Sequence, residues 1–126
     1  MTNVFDTSAV IAFMRNEPGA DRLAGLLEGA AISAVNLAEL ITHGVRSGVE
    51  ANEVRADFAG LKLAVHPFDE EMATVTGALE PATRRYGLSL GDRACLALAK
   101  RLGARAVTAD RVWAKLDLGI TVDVFR

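Results

Sequence analysis

At 126 residues the chain suits one compact domain, long enough for a real core and too short for two ordinary ones. Hydrophobic residues make up 51% and charged residues 24%, which excludes a disordered chain. A net charge of -2 excludes a protein that coats nucleic acid by bulk electrostatics, though not one with a local basic patch.

The elements follow in chain order. "NVF" (Asn3–Phe5) has the character of a buried strand and runs into Asp6. "SAVIAFMRNEPGADRLAGLLEGA" reads as two short helices broken at Pro18-Gly19, because proline lacks a donor and restricts the residue before it. A second strand is expected at Ala31–Ser33, followed by a helix that ends around Gly44, Ser47 and Gly48. Another helix spans Glu50 to Leu61. Further strands are expected at Lys62–His66, Arg105–Thr108 and Ile120–Val124, with helical period between them. Such alternation signifies an α/β domain with a mostly parallel sheet of about five strands. No repeat, low-complexity tract or linker divides the chain, so residues 1–126 are read as a single domain.

Cys95 is the only cysteine, which excludes an internal disulfide and a Cys-based zinc cluster and fits a reducing compartment. Its helical spacing points to core packing. No basic start leads into an apolar secretion segment, and no apolar run approaches the roughly 18 residues that cross a membrane. A soluble cytoplasmic protein is the expectation. Basic residues gather late: Arg84, Arg85, Arg93, Lys100, Arg101, Arg105, Arg111 and Lys115 either contact phosphates or decorate solvated helix faces.

Parallel sheets bind ligands beyond the carboxyl ends of their strands. Neither G-x-G-x-x-G nor G-x-x-x-x-G-K-[ST] occurs, so dinucleotide and P-loop readings lose their support. Carboxylates stand at that edge instead. Asp6 follows the first strand and Asp110 the fourth; each either caps the next helix or belongs to a site. If Thr7 or Ser8 supplied the cap, Asp6 would be free. Asp92, in "LSLGDRACLALAKRL", precedes the stripe of Cys95, Leu98, Ala99 and Leu102 on its inward face, where an ionised group must be paired, hydrogen-bonded or bound to a cation. Ser89-x-x-Asp92 also fits a capping box. Glu39 lies opposite the stripe of Leu37, Leu40, Ile41 and Val45, so periodicity alone makes it an exposed helical residue. Several carboxylates at one edge repel one another unless protons or hard cations neutralise them, and Mg²⁺ or Mn²⁺ is the natural resolution. Such a cation supports phosphodiester hydrolysis. His43 shares Glu39's face but is a lone histidine and is not counted as a ligand. Trp113, Tyr86 and Phe125 are too scattered for a base-stacking platform and are assigned to packing.

The stretches "VFDTSAVIAFM", "ISAVNLAEL" and "YGLSLGDRACLALAKRLGARAVTADRVW" resemble, in order, the acidic motifs of PIN-domain ribonucleases, and most closely those of VapC-type toxins. That resemblance covers nearly the whole chain. It implies a three-layer α/β/α domain whose acids gather around Mg²⁺ or Mn²⁺ to hydrolyse RNA as the toxin of a type II toxin–antitoxin pair. The acids map to Asp6, Glu39, Asp92 and Asp110, and Thr7 and Thr108 resemble hydroxyl residues that assist the metal site. It further implies a VapB-type antitoxin partner and a homodimer, and helices within Ala9–Leu27 and Val49–Leu61 supply apolar surface that serves either role or, for the larger share of such a stripe, ordinary core packing. Two rivals remain. A receiver-type phosphoacceptor shares the size and alternation but needs an adjacent acidic pair after the first strand and a Lys after the fifth; Asp6 stands alone and the last strand ends in Arg126. A catalytically silent RNA- or antitoxin-binding module would keep the fold and even the acids.

Overall fold

A computed structural model describes all of residues 1–126. Five short strands, β1 (Asn3–Phe5), β2 (Ala31–Ser33), β3 (Ala64–His66), β4 (Arg105–Thr108) and β5 (Val122–Val124), form one sheet in the order β3-β2-β1-β4-β5. Every neighbouring pair is parallel. Parallel neighbours need long crossovers, and helices supply them: α1 (Thr7–Met14), α2 (Ala20–Ala24), α3 (Ala34–Arg46), α4 (Ala51–Ala59), α5 (Glu70–Ala78), α6 (Glu80–Thr83) and α7 (Leu90–Leu102).

The central strands are buried on both sides, and alternate residues feed two cores. Val4, Ala31 and Ala106 face a cluster built with Met72, Cys95, Leu98 and Trp113. Phe5, Ile32 and Val107 face the other, with Val10, Leu23, Leu40 and Phe58. Helices thus cover both faces, which is the expected three-layer α/β/α arrangement. Cys95 is fully buried and its thiol donates to Val4 O at 3.9 Å, a packing role. Trp113 and Phe125 are buried in the two cores and Tyr86 packs against one of them, as their scatter suggested.

The strand order places β2 and β3 on one side of β1 and β4 and β5 on the other. Chain direction across the sheet therefore reverses between β1 and β4, and the connections leaving these two strands diverge to open a crevice at their carboxyl ends.

Several boundaries differ from expectation. β3 begins at Ala64 because Lys62 takes a left-handed conformation (φ 58), which no extended strand contains. β5 begins at Val122, where its pairing with Ala106 of β4 starts, rather than at Ile120. The first helix stops at Met14, ahead of Pro18, because the chain already turns at Asn16 (φ 51). Four of the eight late basic residues are engaged in ion pairs. Arg84 and Arg93 pair with Glu80, Arg101 with Glu71 and Arg105 with Asp123.

Gly19 anchors the carboxyl terminus. Its φ of 94 disfavours any side chain, and a Cβ there would lie 2.7 Å from the Phe125 ring. Arg126 then reaches Glu17 at 3.0 Å. Gly19→Ala is expected to lower unfolding free energy by more than about 1 kcal/mol, measured by urea denaturation. An unchanged midpoint would show that Phe125 does not seat there.

Candidate active site

Four carboxylates reach the crevice from four separate segments. Asp6 leaves β1, Asp110 follows β4, Glu39 stands on the second turn of α3, and Asp92 lies in the first turn of α7. All four line one open cleft of about 740 Å³, together with Thr7, Asn36 and Gly91. Glu39 is exposed, as its helical period implies, and the surface it occupies is the cleft wall.

Asp6 is the buried member, only 5% exposed. The expectation that Thr7 or Ser8 caps α1 is corrected: Asp6 is itself the cap. Its Oδ1 accepts from Ala9 N at 2.9 Å and from Ser8 Oγ at 2.7 Å. Its Oδ2 accepts from Thr108 Oγ1 at 2.5 Å. Ser8 Oγ and Thr108 Oγ1 in turn accept from the backbone N–H groups of Ala109 and Asp110, so the carboxylate ties the starts of two connections together. Burial raises the Asp6 pKa from 3.8 to about 6; the three hydrogen bonds oppose the rise, and Asp92 adds to it by repulsion.

Asp92 closes a capping box with Ser89. Ser89 Oγ accepts from Asp92 N at 3.2 Å, and Asp92 Oδ2 accepts from Ser89 N at 2.9 Å. Burial raises the Asp92 pKa, its bonds to Ser89 lower it, and the charges of Asp110 and Glu39 raise it again. Asp110 caps the 3₁₀ turn of Arg111–Lys115, its Oδ1 accepting from Val112 N at 3.0 Å. For the three aspartates, then, capping and a place in the cleft coexist. Oδ1 of Asp92 and Oδ2 of Asp110 have no protein partner.

Glu39 is held by Thr7, one of the two hydroxyl residues that the family resemblance named, and by Asn36, which sequence reasoning missed. Its Oε1 accepts from Thr7 Oγ1 at 2.7 Å and from Asn36 Nδ2 at 2.9 Å, leaving Oε2 without a partner. Asn36 is 1% exposed and also donates from Nδ2 to Gly91 O at 3.0 Å, which links α3 to α7. Its Oδ1 is buried without a partner, so the amide is placed for its N–H groups. Gly91 has a complementary part, because a Cβ there would meet the Glu39 carboxylate. The three-residue spacing of Asn36 and Glu39 is a readable signal for a shared helix face. Nothing in the sequence points from Gly91 to Glu39.

Does this donor set fit a divalent ion? All donors are hard oxygens, three acids keep an uncommitted oxygen, and burial, with a smaller share from neighbouring carboxylates, raises the pKa values of Asp6 and Asp92, so a nearby cation would favour their charged forms. No three of them are arranged to grip one ion together. A divalent ion there would have one or two carboxylates directly and retained waters for the rest, a coordination that Mg²⁺ accepts.

The chain belongs to the PIN-domain family, whose model matches residues 4–118. Its fold is similar to solved toxin–antitoxin structures. VapBC2 from Rickettsia felis bound to a promoter DNA fragment aligns over 98% of each chain with 18% identity and a TM-score of 0.74. DNA-bound VapBC from Salmonella typhimurium aligns over 98% of this chain and 97% of that one, with 22% identity and a TM-score of 0.73. VapBC-5 from Mycobacterium tuberculosis aligns over 99% and 98%, with 23% identity and a TM-score of 0.60. No curated protein sequence matches significantly.

Folded Asp6 holds its proton more tightly than the unfolded chain, so its contribution to stability is full below about pH 4 and is lost as pH rises through about 6, roughly 3 kcal/mol in all. In metal-free buffer, Asp6→Asn should therefore gain stability relative to the parent as pH rises across that window; a pH-independent difference in Tm would contradict burial as the cause. Gly91→Ala should leave Tm unchanged or slightly raised, since alanine favours the helix by up to about 1 kcal/mol, while displacing Glu39 and shrinking the Tm rise on adding Mg²⁺. An undiminished Mg²⁺ response would show that Glu39 does not contribute.

Proposed function

We propose that the protein is a divalent-metal-dependent endoribonuclease that hydrolyses RNA phosphodiester bonds, acting as the toxin of a type II toxin–antitoxin pair. The observation that carries this reading is the convergence of Asp6, Glu39, Asp92 and Asp110 in one cleft at the point where the strand order reverses, between β1 and β4. Family membership supports nuclease chemistry.

Asp6 and Asp92 would hold Mg²⁺ or Mn²⁺, with Asp110 and Glu39 completing the site directly or through water. When bound, the cation supplies an activated water and a positive charge for the phosphate in the transition state. The chain's own residues prepare for it. Thr108 and Ser8 fix the Asp6 carboxylate, Ser89 fixes Asp92 at the positive end of α7, and Thr7 with Asn36 holds Glu39. Asp6 must ionise to bind the ion, so cation affinity should fall as pH drops below about 6.

A VapB-type antitoxin is the proposed partner. The similar solved structures are toxin–antitoxin complexes, and Ile11, Met14, Leu40, Val49 and Val54 line an apolar groove of about 220 Å³ beside the cleft. The groove draws on both segments singled out as apolar surface, Ala9–Leu27 and Val49–Leu61. A homodimer and a cytoplasmic location complete the reading. No helix is long and apolar enough to cross a membrane.

The test is cleavage of total cellular RNA in Mg²⁺, with EDTA as control. Asp6→Asn and Asp92→Asn should each reduce cleavage by at least about 100-fold, equivalent to some 2.7 kcal/mol, with circular dichroism unchanged. Full activity in folded Asp6→Asn would overturn the mechanism. No cleavage by the parent would favour the silent RNA- or antitoxin-binding module.

A further inference from the structure

A cleft lined by four carboxylates repels RNA. One bound divalent ion offsets only two of the four charges, so a polyanion needs cationic help from the cleft's own walls. The late basic residues do not give it, since none of the eight lines the cleft. Arg46, from the first half of the chain, does line it, and Arg15, which lines the adjoining groove, reaches its edge against the cleft-lining His43.

Helix α3 carries one polar face from Glu39 through Thr42 and His43 to Arg46, and all four line the same cleft. Arg46 stands seven residues beyond Glu39, about 10 Å along the helix axis. Arg15, the residue that ends α1, approaches from the facing element, with Nη1 3.4 Å from His43 Nε2. Arg15, His43 and Arg46 are all exposed. Six of the eleven arginines form ion pairs, and of the five that do not, Arg55, Arg85 and Arg111 line neither the cleft nor the adjoining groove. Neither Arg15 nor Arg46 pairs with a carboxylate, although Arg46 shares its cleft with four. Their guanidinium groups keep the donor forks that match a phosphate.

We infer that Arg15 and Arg46, with His43 between them, form a subsite for an RNA phosphate that flanks the one cleaved. The subsite rests on the ribonuclease reading for its substrate class. It orients the strand along α3, so that the backbone enters over the basic end of the helix and reaches the acids at the other. Arg15 and Arg46 are positioning residues for substrate and take no part in bond breaking.

The experiment uses the full chain and a fluorescein-labelled 12-nucleotide single-stranded RNA. Affinity is measured by anisotropy in EDTA and again in Ca²⁺, across a salt series, for the parent, Arg15→Ala, Arg46→Ala, the double variant and a Lys100→Ala control. Each arginine variant should weaken binding about threefold to tenfold and flatten the salt slope by about 0.7 for each phosphate no longer neutralised. Arg15→Lys and Arg46→Lys should restore part of the salt slope. In Mg²⁺ the alanine variants should raise KM with kcat nearly unchanged, the signature of weakened uniform binding.

Unchanged affinity and unchanged KM in the double variant, with RNA still cleaved, would overturn the subsite and leave the nuclease reading standing. Arginine-dependent binding without cleavage would do the reverse. No RNA binding by the parent in either EDTA or Ca²⁺ at low salt would overturn the subsite. Equal losses in Lys100→Ala would overturn it too, since the effect would then be general charge.

Discussion

The structure depends on a single buried carboxylate. Asp6 sits between the first and fourth strands, takes hydrogen bonds from Ser8, Ala9 and Thr108, and lies against the charge of Asp92. A hydrophobic residue there could not cap α1 or hold Thr108, whose hydroxyl organises the turn into Asp110. The acid costs stability when ionised without a counter-charge, and burial shows in its raised pKa. Such a group is what a cation-binding site requires: fixed in place, short of solvent, and next to further acids.

Capping and site chemistry reinforce each other here. Asp6, Asp92 and Asp110 each satisfy backbone N–H groups at the start of a helical turn, which fixes the carboxylate at the cleft. What remains is set by the strand order, because the β1–β4 reversal brings these starts to one crevice. Glu39 arrives by another route. As a long side chain on an exposed face it has no cap to fix it, and Thr7, Asn36 and the missing side chain of Gly91 define its position instead.

Much of this was legible in the sequence, for identifiable reasons. Strand and helix periods gave the α/β alternation and the parallel sheet, the family resemblance implied the three layers, and the first, second and fourth strands match their expected limits. The left-handed Lys62 has no compositional trace, whereas Asn16 is a residue type that favours this conformation, and Pro18-Gly19 is the stronger break signal beside it. The acids were named from their places at strand and helix starts together with the family motifs, and the cleft contains all four. The capping bonds of the aspartates were legible, including the box of Ser89 and Asp92, but the long-range hydrogen bonds were not. Thr108 to Asp6 spans 102 residues and Asn36 to Gly91 spans 55, so neither has a local pattern. The basic residues illustrate the opposite error: clustering in sequence drew attention to the second half, while the cations beside the cleft, Arg15 and Arg46, stand 31 positions apart in the first.

If Asp6 is buried in order to serve a cation, the ion should be visible beside it. Anomalous diffraction from crystals soaked in Mn²⁺ measures this directly. A peak is expected in the cleft within about 2.0–2.3 Å of at least one oxygen of Asp6 or Asp92, with the other acids reached directly or through one water. Ordered Mn²⁺ elsewhere in the crystal, with none in the cleft, would show instead that the buried acid does not serve a metal.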